Sequence, residues 1–357
     1  MSFHEIFRSE GLPVLQNKMY SSAAAAIASP RGNVILVQDD QSGLIFNSAF
    51  EPSKLEYDQE YQNEQACSNV FKRHLEEVTR LIGKHLRGQS VLEVGCGKGY
   101  FLEHLQQQGF RIIGIDPAYE GDNPNVLKVR FDKDLGLAAE GIILRHVLEH
   151  IHQPLPFLAG IAAANGQRGT IYIEVPCFDW ICQRRAWFDI YYEHVNYFRL
   201  QDFTRIFGRI YESGRVFGGQ YLYLLADLAS LRDPIPLSTP PAEMPRDFLV
   251  GLQNAITLAR GSGGRRNAIW GGASKGVIFA CALQRAGLTP DAVIDINPAK
   301  QGRFLAGTGL KVAAPDEALA QLSPGDNIFV MNSNYLDEIV TQSGNLFSYV
   351  TVDHEQT

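Results

Sequence analysis

The chain has 357 residues, 45% of them apolar and 20% charged, with a formal charge of −7. That balance suits a globular protein of two or three units, and it offers no basic field for nucleic acid or an anionic membrane surface. No apolar run approaches the roughly 20 residues that span a bilayer, and five scattered cysteines without a CxxC pair indicate neither a disulfide framework nor a thiolate zinc site.

The opening, MSFHEIFRSEG, lacks the basic and apolar sections of a signal peptide. With free thiols, this makes the cytoplasm the expected location. Residues 1–70 alternate short β-like runs (NVILVQ, GLIFNSA) with polar turns and end in the tyrosine-bearing segment LEYDQEYQNEQACS. They read as a small N-terminal β module. VFKRHLEEVTRLIGKHL then repeats apolar residues at helical spacing. From there strands and helices alternate: SVLEVG, FRIIGID, VLKVRF, GIILRH and TIYIEVP predict a mainly parallel sheet covered on both faces. After residue 228 the proline-rich LRDPIPLSTPPAEMP is the linker candidate. Alternation resumes with NAIWGG, a helix through VIFACALQRAG, AVIDIN and NIFVMN. The expected architecture is α/β: a module over 1–70, a Rossmann-like unit over 71–230 and a second Rossmann-like unit over 245–357.

The first glycine turn carries the chemistry. In VLEVGCGKGYFL a strand runs into Gly95, Gly97 and Gly99 and then into a helix, where glycines allow close ligand approach and the helix offers free N–H groups. Asp116 closes the next strand, where a carboxylate accepts ribose hydroxyls. A GxGxG turn alone also suits a dinucleotide or a purely structural role. Glu93 and the spacing E-V-G-C-G-K-G resemble the first motif of class I S-adenosylmethionine (SAM) methyltransferases, whereas a nicotinamide or flavin site would carry GxGxxG. Asp132, in VRFDKD, is a candidate acceptor for the adenine amino group, the alternative being a solvated turn aspartate.

GIILRHVLEHIHQP places Arg145, His146, Glu149 and His150 at the carboxyl end of the fourth strand, where ligands of such sheets lie. Arg145 and His146 are expected to line the cofactor pocket. His150 is expected to face the acceptor, or else to pack or cap. His146, Glu149 and His150 spell H-x-x-E-H, the letters of a zinc-protease motif, but no third ligand stands out, so no metal is expected.

The fifth strand leads into FDWICQRRAWFDIYYEHVNYF, whose rings are suited to walling off water around Glu193 and His194. Here the resemblance sharpens. VLEVGCGKG, RHVLEHI, IEVP, YYEHVNYF and FGGQYLYL, with the C-terminal IWGGASKGVIFACALQ and AVIDINPAKQGRFLAGTGLKV, are similar to the sugar C-methyltransferases of deoxysugar pathways. The resemblance covers roughly residues 55–345. It implies that Tyr191, Glu193 and His194 form an active-site loop with His150 opposite, and that Tyr61 faces substrate or cofactor. For carbon methylation the chemistry makes His194 the candidate base for enolate formation, with Glu193 tuning it or binding a hydroxyl and Tyr191 and His150 as candidate donors to the enolate oxygen. The alternative is that Glu193 and His194 only anchor the loop by hydrogen bonds. One departure matters. The family's leader is a four-cysteine zinc module, and residues 1–55 contain no cysteine. The expected function is therefore SAM-dependent methylation of a small molecule, with a keto sugar nucleotide as the leading acceptor. The rivals are O- or N-methylation and a nucleotide-binding protein with a degenerate SAM site. A second cofactor at the WGGASKG turn, where Lys275 would be solvated or meet a phosphate and Asp295 ends the next strand, is the less favoured role of the C-terminal unit. Oligomeric state has no signal in the sequence.

Overall fold

Ser68 starts the long helix Asn69–Leu86 by accepting hydrogen bonds from the N–H groups of Val70 and Phe71. Phe71, Leu75, Val78, Ile82 and Leu86 are buried along one side of it. The structure, a computed structural model, describes residues 3–58, 60–237 and 240–353. Ser238 and Thr239 of the proline-rich stretch lie outside the described residues.

The central sheet has seven strands, in the order Ile210–Val216, Tyr221–Asp227, Thr170–Pro176, Gly141–Arg145, Ser90–Val94, Arg111–Ile115 and Val126–Leu127. The five strands from Thr170–Pro176 onward pair in parallel, while Tyr221–Asp227 runs antiparallel to both its neighbours. Runs such as Ile142–Ile143–Leu144 are fully covered, as a parallel sheet with helices on both faces requires. The third predicted strand, VLKVRF, is shorter than its apolar run. Only Val126 and Leu127 pair, and the N–H of Val129 turns back to the Leu127 carbonyl. The second sheet is parallel throughout, in the order Val312–Ala313, Ala292–Ile294, Asn267–Trp270, Asn327–Val330 and Ser348–Thr351.

At the amino end, Phe3–Pro13, Arg31–Asp39 and Ile45–Asn47 form an antiparallel sheet without any thiolate. Its fourth strand comes from far along the chain. Asn196 and Tyr197, at the end of YYEHVNYF, pair with Phe46 and Ile45. The stretch read as an active-site loop is thus partly a β-strand that closes the module. A second tie is the pairing of Met19–Tyr20 with Phe304–Leu305 of the C-terminal unit. One apolar cluster, from Leu12 and Leu36 through Phe188 and Tyr192 to Phe279 and Phe329, runs through all three parts. Continuous apolar burial replaces the staple that a metal would give a small module.

Candidate active site

The carboxyl ends of the central strands open on a cavity of about 750 Å³. That lies in the upper part of the roughly 300–1,000 Å³ range of ligand pockets, large enough to hold a cofactor beside an acceptor. Its walls come from the central unit, from the N-terminal module through Asn17, Tyr57 and Tyr61, and from the C-terminal unit through Trp270, Ser274, Lys275 and Tyr335.

Glu93, Gly95 and Gly97 line the cavity. Gly95 has φ +77, and a Cβ there would sit 2.4 Å from the Val147 side chain, so both backbone angle and space demand glycine. Gly99 does not line the cavity; it caps the Tyr100–Gln107 helix with φ 82. Asp116 Oδ2 accepts from the Gly97 N–H and Oδ1 from the Ala118 N–H, each at 2.8 Å, which fixes the carboxylate at the mouth of the turn. Glu93 is 2% exposed and its Oε2 has no hydrogen-bond partner. Burial pushes its carboxyl up to about 7, against the pull of Arg145. Asp132 is placed elsewhere. It is exposed, its carboxylate accepts from the Asp134 N–H at 2.8 Å, and it caps the turn Lys133–Leu135 rather than facing the cavity. The pattern of an acid closing the third strand could not be told from a capping aspartate in sequence.

Arg145 and His146 are organised by one buried carboxylate. Glu174, in the Thr170–Pro176 strand, is fully buried and takes bonds from four side chains: Arg145 (3.2 and 3.3 Å), His74 (3.0 Å), His146 (3.1 Å) and Tyr172 (2.6 Å). Burial alone would raise its pKa, but Arg145 and the histidines hold it well below the carboxylate range. Arg145 also stacks over Phe101 at 4.3 Å. His146 adopts φ 52, a conformation costly for a residue with a Cβ. Burial opposes its charge, yet Glu149 and Glu174 outweigh that and push it up to about 9.

Another wall of the cavity is built by the 187–198 segment. Tyr191 and His194 line the cavity with His150, and the Tyr191 hydroxyl lies 2.9 Å from His194 Nε2. His194 is 6% exposed, and its Nδ1 has no partner. Burial, with the nearby His150, His146 and Lys275, drives its pKa well below the usual histidine value, so the ring is neutral. His150 Nδ1 sits 2.9 Å from the Glu193 carbonyl and 3.3 Å from the Tyr57 hydroxyl.

Glu193 is brought next to this group but not into the cavity lining. Its Oε1 accepts from the Gln16 N–H at 3.0 Å and its Oε2 from the Tyr61 hydroxyl at 2.6 Å. The carboxylate therefore ties the N-terminal module to the loop and orients Tyr61, which does line the cavity. Glu193, in a turn, faces the module, while its neighbour His194 lines the cavity.

Tyr57 had no signal in the sequence, and Lys275, expected to be solvated or to meet a phosphate, is instead buried in an ion pair with Asp189. Tyr57 meets Tyr61 edge-on with centroids 4.9 Å apart, in a segment without regular periodicity. Lys275 reaches from the start of the Lys275–Arg285 helix to Asp189 Oδ2 at 2.5 Å, a buried ion pair between the C-terminal unit and the active-site loop. The second glycine turn repeats the first in detail: Asp295 accepts from the Gly272 and Asn297 N–H groups at 2.8 Å each. Unlike Asp116, it is already paired, with Lys300 at 3.2 Å.

Comparison with known proteins places this geometry. Residues 59–210 match a family described as a methyltransferase domain, and residues 252–349 match one described as a C-methyltransferase C-terminal domain. The chain is 25% identical over 299 residues, 71% of its length and 68% of the relative's, to C-methyltransferase NovU of Streptomyces niveus. An uncharacterized methyltransferase of Alkaliphilus oremlandii is 34% identical over 77 residues, 20% of this chain and 35% of that one. Among solved structures, the 1,6-didemethyltoxoflavin-N1-methyltransferase of Burkholderia thailandensis, bound to S-adenosylhomocysteine, aligns with 18% identity and a TM-score of 0.35 over 44% of this chain and 80% of that one.

Proposed function

We propose that this SAM-dependent methyltransferase, whose chain joins a methyltransferase domain to a C-methyltransferase C-terminal domain, methylates a carbon next to a ketone in a nucleotide-linked sugar or a related small metabolite. The observation that carries the reading is His194: a buried, neutral imidazole with one nitrogen held by Tyr191 and the other unpartnered, opening on the cavity that the Gly95–Gly97 turn also lines.

A proton next to a ketone is removed only if the enolate is stabilised as it forms. With hydrogen on Nε2 donated to the Tyr191 oxygen, His194 Nδ1 carries the lone pair that takes that proton. The Tyr191 O–H is then free to donate to the enolate oxygen. His150, which lines the same wall, is the candidate second donor to that oxygen. SAM supplies the electrophilic methyl. Held in the cavity, SAM would give its methyl to the enolate carbon as its carbon–sulfur bond broke, with the substrate's proton left on His194. Alignment of carbon, methyl and sulfur supplies much of the rate. Asp116, Glu93 and the glycine turn would hold the cofactor. Glu193 acts through Tyr61 and the backbone, as a positioning residue.

The test is mass spectrometry of the protein incubated with SAM and a panel of nucleotide-linked ketosugars. The expected product carries its new methyl on carbon; methyl on oxygen or nitrogen overturns the reading. His194→Asn is expected to keep its fold and SAM affinity while turnover falls about 10²–10⁴-fold, the range of a positioned general base. It should also slow exchange of the substrate's α-hydrogen with deuterated water. An unchanged rate in that variant removes His194 from the chemistry.

A further inference from the structure

The mechanism leaves Glu149 unused. It sits in the short turn Leu148–His150, is 1% exposed, lines the cavity, and neither of its oxygens accepts a hydrogen bond. The nearest positive group is His146, whose Nδ1 lies 3.3 Å from Oε1 at an angle that makes an ion pair but no hydrogen bond. His146 balances that charge from one side only, and a buried carboxylate that accepts no hydrogen bond can take a second positive partner from the cavity.

Two more acceptors converge on the same place. His194 Nδ1 is buried and unpartnered. His150 has one nitrogen held by the Glu193 carbonyl and the Tyr57 hydroxyl, and no hydrogen bond holds the other. One carboxylate oxygen of Glu149 and one ring nitrogen from each histidine lie within 4.8 Å of one another. Each imidazole has one nitrogen beside an oxygen, the Tyr191 hydroxyl for His194 and the Glu193 carbonyl for His150, as metal-ligating histidines almost always do.

We propose that Glu149, His150 and His194 form a site for a divalent transition metal of the zinc or manganese type, on the acceptor side of the cavity. Two imidazoles and a carboxylate are a donor set for such ions, and three protein ligands leave coordination positions open to the cavity. Ligand bonds of about 2.0–2.2 Å require the three atoms to draw together from their present spacing, a side-chain adjustment rather than a refold. The H-x-x-E-H pattern thus contributes its last two residues. Its first, His146, is engaged with Glu174, and the third ligand comes from 44 residues further along the chain, at His194. A metal on His194 occupies the lone pair assigned to the base. Binding stands apart from the C-methylation reading; its kinetic consequence, inhibition competitive with the acceptor, rests on that reading.

The experiment titrates chelator-treated full-length protein, saturated with S-adenosylhomocysteine, with Mn²⁺ followed by electron paramagnetic resonance and with Zn²⁺ followed by calorimetry. Saturable binding of one ion per chain is expected. Glu149→Gln and His194→Asn should each weaken it by at least about 10–100-fold, the loss seen even for outer-shell partners. His152→Asn, at an exposed histidine beside the site, should leave it unchanged. Retained S-adenosylhomocysteine affinity certifies that each variant is folded, and Glu149→Asp should recover part of the binding. No saturable ion, or an ion indifferent to both ligand substitutions, overturns the site. Added Zn²⁺ should inhibit methyl transfer. If it activates while the ligand variants lose the ion, the metal site stands and His194 falls as the base.

Discussion

At the scale of single residues, the site is governed by which buried groups have partners. Asp116 and Glu174 are fully engaged, so their orientations are fixed before any ligand arrives. Glu93 is not. Burial raises its carboxyl to about 7, leaving it partly protonated near neutrality. A cofactor ammonium arriving beside it would favour the carboxylate and lower that pKa. SAM binding just below neutral pH should then release a fraction of a proton, and the release should fade as pH rises and Glu93 is already ionised. Calorimetry in two buffers of different ionisation enthalpy measures this. Glu93→Gln should abolish the release; if it persists in that variant, the proton comes from elsewhere.

At the scale of elements, the 187–198 segment joins two structures. One end makes a strand of the N-terminal sheet, and the middle presents Tyr191 and His194 to the cavity. Tyr192, between them, is fully buried and its hydroxyl accepts from the Glu51 N–H at 2.8 Å. Its ring lies against Gly32, where an added Cβ would fall 2.1 Å from Cε2. Gly32→Ala must therefore move the ring or the strand. The expected cost is about 1–3 kcal/mol, the range for overpacking a filled core. Because the same segment carries His194, turnover should fall with stability, while SAM affinity, which we assign to the Gly95–Gly97 turn, should hold. Denaturant unfolding and SAM titration of the variant test this, and an unperturbed unfolding midpoint would refute the packing argument.

At the scale of the whole molecule, the Lys275–Asp189 pair couples the C-terminal unit to the active-site loop. Burial lowers the lysine's pKa and raises the aspartate's, against their mutual attraction. Lys275 also lies 4.9 Å from the centre of the Phe188 ring. Lys275→Met would leave Asp189 buried and alone, a change expected to cost about 3–5 kcal/mol at neutral pH. The sign of the pH dependence follows. Without its partner, Asp189 has a folded pKa raised further above its unfolded value, so protons bind the folded state more tightly. The destabilisation should shrink as pH falls towards about 5 and grow as it rises towards about 8. Adding Asp189→Asn to Lys275→Met should recover much of the loss. Denaturant unfolding across that pH window distinguishes a buried ion pair from a surface one, which would show a change below about 1 kcal/mol.

The sequence by itself determined the α/β class, the order of strands and helices around the first glycine turn, and the SAM cofactor. These depend on local rules: apolar period, glycine where φ is positive, and an acid about 20 residues on. Tertiary structure decided which side chains face the cavity. Neighbours such as Glu193 and His194 are equal candidates in sequence, and only the packing of this segment against the N-terminal module sets one on the module and the other on the cavity. Asp132 looked like a strand-end acid because the length of the third strand depends on pairing, which its own residues do not fix. The juxtaposition of Glu149 with His194 was illegible for the same reason. Contacts between residues far apart in the chain are set by how the units pack, and no local periodicity records that.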